Sequence, residues 1–558
     1  MRSTEERRRA ALALAVGVVA VAVLSAFFMF DPTAEQTGAS APAAPTTASS
    51  SPPTTGIESY RQAGWIAAEN AKAGTTDWHI PDDRAVWDKI AGFADTTSVD
   101  AGGSFSLHVS TGAPSWQVSA YRIGYYGGTG GRLVWRSDSL PGGVQPPPTV
   151  DPKTKTGTAP WAASMTVDTD LTWPPGQYLL RLETSDGGAT FVPIVIRDDG
   201  SRSDLLLQSA VTTWQAYNGW GGASLYEGTK GRADVVTFDR PYTGNGSGEF
   251  LGREFEFIFL AEHLGLDVSY WTDVDLHERG ELALNHRAVV IPGHDEYYTV
   301  EMRQALERAR DAGVNLGFFG ANNIYRRIRL EPSPLGQNRH QVNYRDASRD
   351  PMKGKDPARV TTSFREAPAP NPESSLIGNY YECNPVSADW VVADASAWMF
   401  EGSGFVNGDR VPGMVGNEYD RVTPAAPTPE NIQILAHSPV NCKGLFSYAD
   451  STWYSAASGA GVFSAGTFGW SPLLDAHCPL GPTTAECKVV KVTENILRAF
   501  AAGPAGAAHP SQSNLQRFGL RTPSPTTSTT AIPPATAIPP GIQLNGASTA
   551  STAATASR

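Results

Sequence analysis

Three short stretches gather residues able to polarise, move protons or hold a cation: Thr212-Thr213-Trp214-Gln215-Ala216-Tyr217-Asn218-Gly219-Trp220, Pro292-Gly293-His294-Asp295-Glu296-Tyr297-Tyr298 and Gly320-Ala321-Asn322-Asn323. Imidazole, carboxylate, phenol and amide groups in company suit proton transfer and hydrolysis. His294 and Glu296 alternate along an extended loop and so can share one side. No protein nucleophile stands out. The first cysteine is Cys383, no G-x-S-x-G elbow is present, and neither H-E-x-x-H nor the phosphate-loop pattern occurs. Weight therefore shifts to water activated by a metal ion. Each residue also has a plainer structural reading. Tyr217 beside Trp214 and Trp220 is a sugar-stacking platform, His294 and Glu296 make a hydrogen-bonded turn, and Asn322 and Asn323 cap the segment after them.

The elements that must position these stretches are legible as alternating apolar runs. Leu205-Leu206-Leu207, residues 267–271, Ala288-Val289-Val290-Ile291 and residues 315–319 read as buried strands. Between them, residues 250–264 carry Leu251, Phe255, Ile258 and Phe259 at helical spacing and stop at Gly265. Thr299 can cap a second helix, with Met302, Leu306 and Ala309 on one face and Gly313 at its end. Strand and helix in alternation predict a mainly parallel sheet, whose ligands bind beyond the carboxyl ends of its strands. All three stretches fall there. Residues 330–503 read as the same domain with insertions and a last helix over about 492–501. Upstream, Phe105-Ser106-Leu107-His108-Val109 and Trp116-Gln117-Val118-Ser119-Ala120-Tyr121 alternate, and residues 178–182 and 191–196 add β-rich runs, which predicts a sandwich. The glycine-rich segment 122–131 leads into strand-like Arg132-Leu133-Val134-Trp135 and not into a helix, so it reads as a hairpin loop, not a phosphate cradle.

The ends of the chain have different compositions. Arg2, Arg7, Arg8 and Arg9 precede an uncharged apolar stretch over residues 10–30, long enough to cross a bilayer core of roughly 30 Å. It reads as an uncleaved signal anchor that leaves the body outside, with a cleaved signal ending near Ala39-Ser40-Ala41 as the alternative. Residues 31–56 and 504–558 are rich in Ala, Pro, Ser and Thr and read as a disordered tether and tail. The expected organisation is thus 1–30 cytoplasmic stub and anchor, 31–56 linker, 57–200 β-sandwich, 201–503 α/β domain and 504–558 tail. Four cysteines in an exported chain favour disulfides. Cys478 and Cys487 flank a short loop, which pairs them locally and leaves Cys383 with Cys442. A net charge of −12 with no basic block excludes nucleic acid as a partner.

Taken together, Tyr121-Arg122-Ile123-Gly124-Tyr125-Tyr126-Gly127-Gly128, Trp214-Gln215-Ala216-Tyr217-Asn218, Gly293-His294-Asp295-Glu296-Tyr297 and Gly320-Ala321-Asn322 resemble the large (beta) subunit of N,N-dimethylformamidase over roughly residues 57–501. The resemblance implies a β-sandwich followed by a three-layer, glutamine-amidotransferase-like α/β domain. It also implies a mononuclear iron held by two tyrosines and a glutamate, which activates water to hydrolyse an amide. Carried over by motif, the ligands are Tyr217, Glu296 and Tyr178, the last in Gly176-Gln177-Tyr178-Leu179-Leu180. His294, Asn322 and Glu418, in Met414-Val415-Gly416-Asn417-Glu418-Tyr419, take catalytic or polarising positions. Phenolate and carboxylate are hard donors suited to a hard trivalent cation. The family works with a separate small subunit, of which this chain carries no trace.

Three functions are compatible with these residues: an iron-dependent hydrolase of an amide-type C–N bond displayed outside a single-pass membrane anchor, a noncatalytic cell-envelope glycan-binding protein on the same fold, and a zinc hydrolase using His294 and Glu296. The expected partners are a small-molecule amide or cell-envelope substrate, the membrane through the N-terminal helix, and further copies of the chain.

Overall fold

The apolar runs after Asp204 fold as the parallel strands that their composition predicts. A computed structural model describes residues 56–520 apart from 82, 83, 85–88, 230, 475–477 and 479–483. The expected anchor, most of the linker and the end of the tail lie outside the described residues. No helix among the described residues is long and apolar enough to cross a membrane. The chain is a mixed α/β and β protein.

The first sheet has eight strands: β1 (Ile90–Ala94), β2 (Ser98–Asp100), β3 (Ser104–Ile123), β4 (Gly131–Arg136), β5 (Leu140–Gly143), β6 (Met165–Asp168), β7 (Gly176–Thr184) and β8 (Ala189–Arg197). Its order is β1-β3-β7-β8-β2, with β4, β5 and β6 also on β3. The expected strands are present, linked into one hydrogen-bonded set by the long β3. The 20-residue β3 pairs with β1 and β6 through its first half and with β7 and β4 through its second. Phe105, Leu107, Val118, Leu180 and Ile194 fill a single core between these strands. The glycine-rich segment after β3 is the hairpin connection to antiparallel β4.

The second sheet runs β10 (Val268–Thr272), β9 (Leu205–Ser209), β11 (Ala288–Ile291), β12 (Asn315–Phe318), β17 (Gly461–Ser464), β16 (Leu445–Ser455) and β15 (Gln433–Cys442). The first five are mutually parallel and the last two antiparallel. Because side chains alternate along a strand, Leu205, Leu207 and Val290 face α2 (Phe255–His263) and α5 (Ala485–Ala502). Leu206, Val289 and Leu316 face α4 (Val300–Asp311) in a second core. The helix expected over 250–264 is broken at Glu254, whose carboxylate accepts from the Ala210 amide (3.1 Å) and the Trp214 indole (3.0 Å) instead of leaving the segment regular. A hairpin of β13 (Tyr380–Val391) and β14 (Arg410–Arg421) is inserted between β12 and β15.

Both disulfides form as expected, Cys383–Cys442 and Cys478–Cys487. Residues 504–520, which composition assigns to the disordered tail, instead form a short helix at Ala505–Ala508 and a turn at Leu515–Phe518. Leu515 is buried in the second core, and this burial offsets the ordering that the Ala/Pro/Ser composition disfavours. The two sheets are joined by a fully buried ion pair. Arg122 of β3 donates to both carboxylate oxygens of Glu262 on α2 (2.6 and 3.1 Å), and Tyr270 of β10 donates to the same group (2.5 Å).

Candidate active site

The three chemistry-bearing stretches follow β9, β11 and β12 and meet at the carboxyl edge of the parallel sheet. After β9 the chain enters α1 (Val211–Tyr217), which carries Tyr217 on its last turn. Buried Arg240 braces the loop after α1: its guanidinium donates to the Gln215 side chain and to the carbonyls of Trp220, Ala223 and Asn218. The braced loop returns Tyr226 beside Tyr217, the two rings stacked 4.3 Å apart. After β11, the turn carrying His294 and Glu296 lies against the turn after β12. A Cβ on Gly320 would stand 2.3 Å from the Gly293 carbonyl oxygen, so only glycine permits this approach. Thr213 accepts from the Glu296 amide (2.9 Å), and Asn323 accepts from the Asp295 amide (3.0 Å).

Around Glu296 the oxygens crowd. Its Oε2 accepts from Tyr226 (2.5 Å) and Tyr217 (3.1 Å), and the two hydroxyl oxygens stand 2.8 Å apart. His294 Nε2 lies 3.4 Å from the Tyr217 hydroxyl and 3.7 Å from Glu296 Oε2, while Nδ1 lies 2.9 Å from the Ala321 carbonyl. Arg326 Nε stands 3.4 Å from Glu296 Oε1. Asn322, with φ of 56°, donates Nδ2 to Glu418 of β14 (2.6 Å), and its amide donates to Asp420 (2.8 Å). Its Oδ1 is buried without a partner. Glu418 accepts also from Asn384 of β13 (2.8 Å).

The charges follow from this packing. Burial works against ionising Glu296, but contact with His294 and the charge of Arg326 outweigh it and hold its carboxyl below the usual range. Burial likewise opposes charge on His294, and the nearby carboxylates of Glu296 and Glu418 raise it nonetheless. The phenols of Tyr217 and Tyr226 are pushed well above their ordinary range, first by burial of the hydroxyls and then by the Glu296 charge. Their ring edges still reach solvent, at 36% and 37% exposure.

Of the six residues singled out from the sequence, Tyr217, Glu296, His294, Asn322 and Glu418 come together. Tyr178 does not. It lies in the core of the first sheet, fully buried and stacked on Trp173, with its hydroxyl donating to the Pro174 carbonyl (2.8 Å). An alternating strand turns such a tyrosine inward, and the hydroxyl is satisfied four residues upstream. The second tyrosine of the cluster is Tyr226, in Ala223-Ser224-Leu225-Tyr226. Its stretch has no periodicity, and the nearest signal is the glycine pair Gly221-Gly222 before it. Arg326, Arg345 and Tyr297 also border the cluster, and Tyr297 donates to Tyr226 (2.8 Å).

Residues 117–481, more than half of the chain, match the family described as N,N-dimethylformamidase beta subunit-like, C-terminal. The chain belongs to this family. Two relatives agree: the N,N-dimethylformamidase beta subunit of Alcaligenes sp is 24% identical over 399 residues, 62% of this chain and 49% of that protein. The same subunit from Paracoccus aminophilus is 25% identical over 338 residues, 50% of this chain and 42% of that protein. The chain thus spans about half the length of the relatives it matches. A crystal structure of an uncharacterized protein from Bacillus anthracis str. Ames overlaps 19% of this chain and 84% of that one, at 12% identity and a TM-score of 0.13, and does not bear on the fold. The family match covers Tyr217, Tyr226, His294, Glu296, Asn322 and Glu418.

Proposed function

We propose that the chain is a metal-dependent hydrolase of an amide-type C–N bond, with iron as the metal, displayed on the outer face of a membrane. One observation carries the reading: two phenol oxygens and one carboxylate oxygen lie 2.5–3.1 Å from one another. Adjacent oxygens around a six-coordinate ion with bonds of about 2.0–2.1 Å stand roughly 2.8–3.0 Å apart, so the donor set fits. Tyr217, Tyr226 and Glu296 would hold the ion, and three anionic oxygen donors suit a hard trivalent cation. The bound ion would supply Lewis acidity toward water and a carbonyl oxygen. His294 and Glu296 alone give the zinc reading only two donors, and no three His, Cys, Asp or Glu side chains group as a metal site among the described residues.

The remaining roles belong to the chain's own groups. His294, anchored through Nδ1, moves a proton at Nε2: it takes one from the attacking water and hands one to the leaving nitrogen, so that amide and water yield acid and amine. Asn322 spends one Nδ2 hydrogen on Glu418 and keeps the other for the developing oxyanion. Glu418 fixes Asn322 and balances the charge of His294. The two disulfides and the arginine-led apolar segment at 10–30 support an oxidising, extracytoplasmic setting. We read the parallel sheet with helices on both faces as glutamine-amidotransferase-like in layout.

Metal analysis of the purified chain, with a tyrosinate-to-iron absorption band that disappears in Tyr217→Phe, tests the reading. Folded protein that takes up no iron under any loading condition rejects it. The exposed, stacked rings of Tyr217 and Tyr226 favour, as a second reading, a noncatalytic glycan-binding role. Glycan binding that persists in Glu296→Ala would support that alternative.

A further inference from the structure

Beside the oxygen cluster the chain places more positive charge than its own carboxylates engage. Arg345, in the left-handed region at φ of 62°, lays its guanidinium carbon 4.1 Å from the centroid of the Tyr226 ring. Its Nη2 donates to the Tyr297 hydroxyl (2.9 Å), while its Nε is buried with no partner. The carboxylates in direct contact with the neighbouring arginines are already engaged: Asp234 by Arg349 (2.5 Å) and Arg232 (3.7 Å), Glu296 by Arg326 (3.4 Å). Four guanidinium groups therefore meet two carboxylates, and Arg345 has none of its own among the described residues. Arg232 Nη1 and Arg326 Nε are likewise buried without hydrogen-bond partners. In a protein of net charge −12 this local surplus is against the general trend. Arg345, Arg326 and Arg232 are each half-buried, so part of every side chain is open to solvent.

We propose that Arg345, with Arg326 and Arg232 beside it, binds a carboxylate of the substrate. The amide hydrolysed here would then belong to an anionic molecule, such as an N-acylated amino acid or a peptide C-terminus, and not to a small neutral amide. This rests on the amide-hydrolase reading of the same site. Arginine forks match carboxylates bidentately, and such charge-assisted pairs are the strong ones. Distance agrees with the class. The guanidinium sits against the ring whose hydroxyl joins the cluster, so a carboxylate held there lies within one or two residue lengths of the reacting bond, at roughly 3.5 Å per extended residue. Two phenolates, Glu296 and a trivalent ion would be neutral as a group and would leave the arginine charge unspent.

The test compares N-acetylglycine with its neutral counterpart N-acetylglycinamide by titration calorimetry on the full chain at low and high salt. The acid is expected to bind about tenfold tighter or more, with the advantage shrinking as salt rises. Arg345→Met should bring the two probes within about twofold of each other, and Arg345→Lys should keep part of the difference. Probes that bind alike, or a preference that survives Arg345→Met in protein with an unchanged circular dichroism spectrum, would overturn the proposal. Binding of neither probe would do the same. If Arg345→Met does not fold, the wild-type ratio decides, and a value below about threefold is fatal. Amine release in the same samples separates the two readings. An acid preference without any amine released removes the hydrolase and leaves the anion site, whereas equal hydrolysis of both probes removes the anion site and leaves the hydrolase.

Discussion

Tyr226 and Tyr178 make a controlled pair, since both are tyrosines with donated hydroxyls and only one belongs to the cluster. Tyr226→Phe removes one of three oxygens and is expected to lower iron affinity by about tenfold or more, read by metal content after dialysis. Tyr178→Phe breaks one buried hydrogen bond to Pro174 and should cost about 1 kcal/mol in chemical denaturation while leaving metal content unchanged. The contrast explains what was legible at this scale. His294, Glu296, Tyr217 and Asn322 could be found because each follows a strand whose apolar run is unmistakable, and the carboxyl ends of parallel strands are where ligands bind. Glu418 had no apolar strand run to point to it, because it arrives on a hairpin inserted far along the chain. Tyr226 gave no signal, since its position depends on a loop braced by Arg240 and not on any periodic element.

At the scale of elements, the site depends on two turns touching. Gly320→Ala forces a methyl group to 2.3 Å from the Gly293 carbonyl, and the turn bearing His294 and Glu296 must move. Such overpacking typically costs about 1–3 kcal/mol, and the iron band should weaken with it even though no ligand is changed. A variant with full stability and an unaltered band would show that the contact is dispensable. Thr299→Ala, which removes the cap that accepts from the Met302 amide, should cost about 1 kcal/mol of thermal or chemical stability without affecting metal binding. Continuous apolar runs gave away the parallel strands, and capping residues gave away α4. What the patterns missed was tertiary: the break at Glu254 exists because a carboxylate is recruited to α1, and the ordered segment after Pro504 exists because Leu515 finds a core to enter.

Across the whole molecule, the buried Arg122–Glu262 pair ties the two sheets together. Glu262→Ala leaves Arg122 charged and unpaired in the interior and is expected to cost about 3–5 kcal/mol. Denaturation followed by fluorescence and by circular dichroism should still report one transition; two separate transitions would show that the sheets fold independently. A second whole-molecule prediction concerns acid. His286 is buried with its ring 2.7 Å from the Ser203 carbonyl, and burial brings its pKa down to about 4 from about 6.5 in the unfolded chain. The unfolded state therefore binds the extra proton between these values. The contribution is complete above pH 6.5 and is lost as pH falls toward 4, by roughly 2–3 kcal/mol. Urea midpoints of wild type and His286→Gln should diverge in their pH slopes over that window, and parallel slopes would refute the assignment.

The length of β3 bears on how this protein can be cut. The match to the family begins at residue 117, inside a strand that runs from Ser104 to Ile123. An expression fragment trimmed to the matched residues would begin in mid-strand, lose β1, β2 and more than half of β3, and bare β6 and the end of β8 as raw sheet edges. Such a fragment should aggregate where one begun upstream of β1 stays soluble. For this chain the first residue of the family match is thus a poor place to cut.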